Sequence, residues 1–405
     1  MNHPNIANPG EEWDPRSPTV LRDQIAAYDD MRHRCPVARS DYLHWSLFRH
    51  ADVLRVLHDP ATFSNAVSAH VSVPNGMDPP MHTEFRRIIE PYFGRKRMEA
   101  FEPVCRRLAA ELMKKLPTDR PVEIMSGLAQ AFALEMQSAF LGWPAQLHEP
   151  LRKWAIKNRE ATLARDPVAT AEVAREFDGY IREIIAERRR QPLSDDVTSS
   201  LLQQRVCNRP LEDEEIVSIL RNWTVGELTT ISASVGILVY YLAEHTSVQD
   251  QLRQKPALLP AAIDEILRIH PPLIANRRKA TQAVNIGGRS IAANERLTLM
   301  WASANRDESV FGDPDEFRLD RDPADNLLYG AGIHVCPGAP LARLELRVLL
   351  EELLRRTARI LPQADSAPIR AIYPASGYSE AWIVLEGASE QRVGTSTEWK
   401  EAVSG

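Results

Sequence analysis

Apolar residues recur at three- and four-residue spacing over residues 51–57, 98–116 and 171–190. That is the repeat of helices that bury one stripe. The longest such segment is 214–244, EEIVSILRNWTVGELTTISASVGILVYYLAE, which is nearly apolar all round in its second half. A helix apolar on every side is a buried helix, and at ~1.5 Å per residue this one crosses a whole domain. Gly226 and the pair Thr229 and Thr230 interrupt it and predict a weak point in its middle. Strand signals are short and late. Residues 283–302 alternate around Gly287–Gly288 like a hairpin, and 381–387, AWIVLEG, is a second candidate. Between them 306–326 is charged and turn-rich, which predicts a course over the surface. No repeat or low-complexity tract divides the chain. The expectation is one mainly α domain with a small β portion over 1–405, with 1–20 as an extended arm and 388–405 as a tail.

Composition narrows the function. Of 405 residues, 44% are hydrophobic and 26% charged, enough for a large core, and the net charge of −6 gives no basic excess for nucleic acid. By eye no apolar run reaches the ~18 residues of a membrane helix. The first twenty residues are polar and lack the charged start and apolar stretch of a secretory signal. A cytoplasmic protein without membrane contact is expected. The four cysteines, Cys35, Cys105, Cys207 and Cys336, form no C-x-x-C pair, so neither a disulfide framework nor a paired zinc site is expected. The first three read as small buried hydrophobes.

Cys336 differs. In YGAGIHVCPG, residues 329–338, glycines at 330, 332 and 338 surround it, and Pro340 suits the first turn of a following helix. A cysteine just before a helix N-terminus is biased towards thiolate. With His334 two residues away, that thiolate could be a nucleophile. As a lone ligand in a glycine-lined loop, it could instead bind a metal whose other ligands are not protein. Haem meets the second condition, because the porphyrin supplies four nitrogens and the protein one axial thiolate.

The stretch resembles the haem-binding loop of cytochromes P450, F-G-x-G-x-H-x-C-x-G, with Tyr329 in place of phenylalanine. Further segments follow the same family in order, over roughly residues 20–385. Glu265 and Arg268 in AIDEILRIHPP match its E-x-x-R pair, which the resemblance makes structural. His82 and Arg86 in MHTEFRR match its H-x-x-x-R, and 304–321 matches its meander. The resemblance implies the cytochrome P450 fold and haem b, with Cys336 as axial ligand in a loop that includes Tyr329, Gly330 and Gly338. It also implies that His82, Arg86, Arg278 and His334 hold the two propionates. Arginine suits that task because it binds carboxylates bidentately.

On the oxygen side the family pattern is A/G-G-x-D/E-T-T/S. Here it runs Val225, Gly226, Glu227, Leu228, Thr229, Thr230, so leucine takes the acid's place and Glu227 stands one residue early. One position turns a helical side chain by about 100°. Gly226, Thr229 and Glu227 are the catalytic candidates, with an alternative proton route or a changed use of dioxygen both open. The run WTVGELTTISASVGILVYYLA further resembles haem domains of bacterial members fused to a flavin and iron–sulfur reductase. No such reductase follows here, so electrons are expected from a separate ferredoxin and its NAD(P)H-dependent reductase, received near Arg343 and Arg347. By resemblance the substrate walls come from 68–78, 159–163, 225–229, 273–276 and 376–378. They include Val71, Val73, Met77, Val225, Leu273, Ile274 and Asn276, an apolar set suited to a small apolar or aromatic molecule. Hydroxylation or O-dealkylation is the expected reaction. The alternatives are a peroxide-driven or radical-coupling enzyme, a haem sensor without turnover, and a colourless cysteine hydrolase using Cys336 and His334.

Overall fold

A computed structural model describes residues 12–68, 70–164, 166–190 and 194–387. Helices dominate and fall where the apolar spacing places them, at His50–His58, Arg95–Lys115 and Pro167–Arg190. The central helix runs from Asp213 to Glu244 but is not uniform. An α-helical part, Asp213–Gly226, passes through a π-helical turn, Glu227–Ile231, into a second α-helical part, Ser232–Glu244. Such bulges are frequent at functional sites, and this one occupies the predicted weak point. The helix is long and apolar enough to span a membrane, contrary to the reading by eye. However, 72% of its apolar window is buried inside the protein, so its apolar faces are already covered.

The strand expectation holds late in the chain and fails early. Val284–Ile286 and Arg289–Ile291 form the hairpin around the glycine pair, and Trp382–Gly387 is a strand between Thr357–Pro362 and Pro121–Glu123. The largest sheet was missed. It comprises β1 (Val37–Ser40), β2 (His44–Leu47), β3 (Phe63–Ser64), β4 (Asn276–Ala280) and β5 (Arg296–Leu299), in the order β1-β2-β5-β4-β3. The β2–β5 pair is parallel and the others antiparallel. Strands of two to five residues are too short to show alternation, and β2 and β3 find partners much later in the chain. Leu47, Phe63, Leu297 and Leu299 of this sheet pack with Val53 and Leu57 in a core of their own.

Three further expectations need correction. The arm is ordered from residue 12: Pro18–Arg22 is helical and Trp13 is buried against Tyr28 and Phe48. Residues 1–11 and the 388–405 tail lie outside the described residues. The meander does not stay on the surface, since Asn305, Arg306 and Asp307 are buried, with Arg306 paired to Asp29 (2.9 Å) and Asp315 (2.8 Å). Of the three ordinary cysteines only Cys105 is buried; Cys35 is half-buried and Cys207 exposed. Cys207 sits in the turn between Arg205–Val206 and Arg209–Pro210, and turns of this type lie at the surface.

Candidate haem and oxygen site

The Cys336 loop is held by its backbone. The Cys336 N–H donates to the Tyr329 carbonyl (2.8 Å), and the helix Ala339–Arg356 begins three residues later with proline in its first turn. Gly330 (φ 73°) and Gly332 (φ 69°) take left-handed backbone that side chains oppose. A Cβ on Gly332 would also overlap the Leu57 carbonyl, while one on Gly338 would lie 3.8 Å from Cys336 Sγ. Cys336 is an exposed residue, although protein closes round its thiol. Burial pushes its thiol up, and the N–H groups of Gly338 and Ala339 with Arg86 and Arg343 pull it back. The helix-terminus effect read from the sequence is therefore present, but burial outweighs it while no cation ligates the sulfur. Tyr329 carries the Arg343 guanidinium 4.5 Å above its ring, and Arg343 is paired with Asp264 (2.9 Å).

The four expected propionate residues gather beside this loop. The His82 and His334 rings lie 4.2 Å apart. Both His82 nitrogens and His334 Nε2 are buried with no hydrogen-bond partner. Burial first, then neighbouring His82 and Arg278, take His334 down to about 3. Arg278 is buried and donates to its neighbour's carbonyl at Arg277 (2.7 Å); burial drags it down to about 10. Arg86 donates to the Val335 carbonyl (2.7 Å) and pairs with Glu90 (2.9 Å). Buried donors are normally satisfied, so this cluster fits a ligand that brings carboxylates. Among the described residues no group of three or more His, Cys, Asp or Glu is placed to hold a metal ion. A single thiol beside cationic donors therefore fits a metal that carries its own macrocycle and acids.

Glycine placement yields a paired prediction. Gly332→Ala meets both strain and overlap and is expected to lower haem retention and stability by more than about 2 kcal/mol. Gly226 has nothing within 4 Å of an added Cβ. Gly226→Ala should therefore leave thermal stability unchanged or higher, by up to ~1 kcal/mol. Melting curves of the haem-loaded variants check both.

The central helix is linked to the cysteine loop through aromatic rings. Phe93 lies 3.9 Å from the Gly338 Cβ position and stands edge-on to Trp223, one turn before Gly226, at 5.1 Å. Thr229 is exposed to open space, and its hydroxyl donates to the Val225 carbonyl (2.6 Å). Thr230 does the same to Gly226 (2.7 Å). With its hydrogen committed, the Thr229 hydroxyl presents lone pairs to that space. Glu227 faces elsewhere. It is buried, and its side chain meets Glu345 of the helix after Cys336. Leu228 packs on the main core.

The expected substrate walls divide. Val71, Leu273 and Asn276 are exposed and Met77 and Val225 half-buried, so these can border open space. Val73 (0% exposed) and Ile274 (2%) cannot; they fill separate core clusters. The 68–78 segment is clipped to the central helix by polar residues the sequence reading passed over. Ser218 Oγ accepts from the Val73 N–H (2.8 Å) and donates to the Val71 carbonyl (3.0 Å), and Asn222 donates to the Val73 carbonyl (3.0 Å). Their signal was a polar pair four apart on one face of the helix, and Arg221 beside them also donates to the Val71 carbonyl (2.9 Å).

Behind the loop a depression of about 410 Å³ is lined by Phe93, Met98, Glu102, Pro340, Arg343 and Arg347. Arg343 stays half-exposed there, but Arg347 does not match the expected free cation. It is bridged to Glu102 and Glu351, both at 2.8 Å, and its side chain is 16% exposed. Glu265 and Arg268 form the expected pair with two hydrogen bonds, 2.8 and 2.9 Å, both residues buried. Arg268 also donates to the carbonyls of Asn305 (2.8 Å) and Pro314 (3.0 Å), and Arg321 adds a third charge on Glu265 (2.9 Å). The pair thus ties the meander to its helix.

Comparison with known proteins supplies the family. The sequence model of the family described as cytochrome P450 matches residues 162–370. The erythromycin C-12 hydroxylase of Saccharopolyspora erythraea is 32% identical over 86% of this chain and 92% of its own length. The linalool 8-monooxygenase of Pseudomonas putida is 30% identical over 78% of this chain and 83% of its own. Among solved structures, CYP109E1 from Bacillus megaterium in complex with testosterone superposes with a TM-score of 0.82 at 28% identity, covering 89% of this chain and 97% of that one. On the family model, these relatives and the shared fold, the chain belongs to the cytochrome P450 family, the haem b monooxygenases that take electrons from NAD(P)H through redox partners.

Proposed function

We propose that this protein hydroxylates or O-dealkylates a small apolar or aromatic substrate, with Cys336 as the axial thiolate of its haem. The observation that carries the reading is the pair of buried, unpartnered imidazoles of His82 and His334, with the buried Arg278 beside them, next to an exposed Cys336. When bound, the haem supplies dioxygen activation, which the thiolate promotes by pushing electron density towards O–O cleavage. The chain's own residues do the rest. Arg86 and Arg278 would neutralise the propionates, and His82 and His334 would donate hydrogen bonds to them. The gap at Gly226 leaves room for dioxygen, and the Thr229 hydroxyl accepts a hydrogen bond there. Val71, Met77, Val225 and Leu273 offer an apolar wall, with Asn276 as a polar mark.

The small-aromatic preference rests on the resemblance of the central helix to the reductase-fused bacterial group. Electrons come from a ferredoxin and its reductase, docking in the depression beside Arg343, and the reaction takes place in the cytoplasm. The test is a binding and turnover panel on the haem-loaded protein. Alkoxyaromatic compounds should shift the iron from low to high spin and be oxidised with NAD(P)H, ferredoxin and ferredoxin reductase. Macrolides and steroids, named for the relatives, should not. Spin shifts only with the larger compounds would overturn the substrate class. Turnover with hydrogen peroxide and none with redox partners would overturn the electron route.

A further inference from the structure

Glu227 and Glu345 meet in the seam between the central helix and the helix that starts behind Cys336, within hydrogen-bonding reach of each other. Glu227 is 7% exposed and Glu345 0%. Glu227 Oε1 and both Glu345 oxygens are sealed from solvent, and no other described group donates to them. From the Arg95–Lys115 helix only Cys105 faces the two acids, and it is itself buried. Arg106 and Glu102 of that helix are turned to Glu351, Glu352 and Arg347 instead. Among the described residues no cation compensates the pair.

Two bare carboxylates in such a place would each lose hydration and would repel each other. A proton between them removes one charge and makes an O–H···O⁻ bond, the short and strong kind. The π-helical turn that begins at Glu227 places this acid in the seam, while Leu228 occupies the position where the family carries its acid.

We propose that Glu227 and Glu345 hold at least one shared proton in the folded protein at neutral pH, and that Glu345 is the positioning residue that keeps Glu227 in the seam and so sets the turn presenting Thr229. The second half rests on the reading of Thr229 as the oxygen-side hydroxyl; the first half does not. Burial takes Glu227 from its ordinary 4.5 up to about 8 and moves Glu345 the same way. The folded state then keeps a proton that the unfolded chain has released. Stability is therefore full below the ordinary carboxyl range and is lost as pH rises through about 8.

The experiment is infrared difference spectroscopy of the haem-loaded protein through a pH titration, in water and in deuterium oxide. The expected result is a carboxylic-acid C=O band at neutral pH, shifted by deuterium and disappearing as the pH passes about 8. In Glu345→Gln the amide donates to the Glu227 carboxylate. The remaining titration should then move down by at least about one pH unit, and Glu227→Gln should do the same for Glu345. The fall of melting temperature with rising pH should flatten in both. A wild type with no such band at neutral pH, or a band unchanged in both variants, overturns the proposal. Wild type alone decides the first point if a variant fails to fold. The carbon monoxide spectrum of the same samples separates the two claims. A normal thiolate spectrum without the band sinks the carboxyl pair alone. The band without that spectrum sinks the haem-thiolate reading alone.

Discussion

Cys336→Ser is expected to abolish the long-wavelength Soret band of the reduced, carbon monoxide-treated protein and to reduce monooxygenase turnover to background. Serine keeps the size and the backbone bond to Tyr329 but cannot supply a thiolate. The other three cysteines are poor substitutes. Burial holds Cys105 neutral, the Cys35 sulfur is already engaged with Arg289, Glu12 and the Val37 carbonyl, and Cys207 lies in an exposed turn. The spectrum of wild type and variant, recorded side by side, checks this. A variant that keeps the band would remove Cys336 from the iron and leave the His82–His334–Arg278 cluster unexplained.

Glu265→Ala is the substitution expected to cost most in stability. It leaves Arg268, 1% exposed, with two carbonyls but no anion, and it also leaves Arg321 with carbonyls of Phe311, Asp313 and Glu316 but no anion. Breaking a buried pair from one side costs about 3–5 kcal/mol. Arg268→Ala should cost less, because Arg321 still lies on the Glu265 carboxylate at 2.9 Å. Urea unfolding of the haem-loaded proteins, followed by circular dichroism, measures the difference. Equal losses in the two variants would show that Arg321 shares no charge with Glu265, and a loss under about 1 kcal/mol in Glu265→Ala would mean that the pair is not the clamp of the meander.

The pattern in the chain reached different parts of the molecule unequally. Apolar spacing located the helices because helical contacts are local and their period repeats within one element. The cysteine loop was legible for a similar reason: glycine, histidine, cysteine and proline act within ten consecutive positions. The E-x-x-R pair was visible as two residues on one helix face, but its third member, Arg321, was not, since nothing in the spacing ties it to Glu265. The first sheet was hidden because β2 finds its neighbour in β5, and strands of five residues or fewer carry too little alternation to announce themselves.

The catalytic segment shows the limit most clearly. VGELTT disclosed that the acid stood one position early, and a turn of about 100° per residue says that it must face away from its usual place. What it faces is a matter of packing. The π-helical turn rotates Glu227 into a seam whose other wall, Glu345, belongs to the helix that Cys336 introduces. Likewise Val73 and Val71 look alike as wall residues in the chain, yet one is sealed in the core and the other lies open, because Ser218 and Asn222 pin the loop between them. Local periodicity and contiguous motifs thus settled the family and the helices and singled out Cys336 as the haem-ligand candidate. The proton environment of the buried acids and the true border of the pocket arose from contacts between segments far apart in the chain, where burial and the absence of a compensating charge become defined only once the helices close on one another.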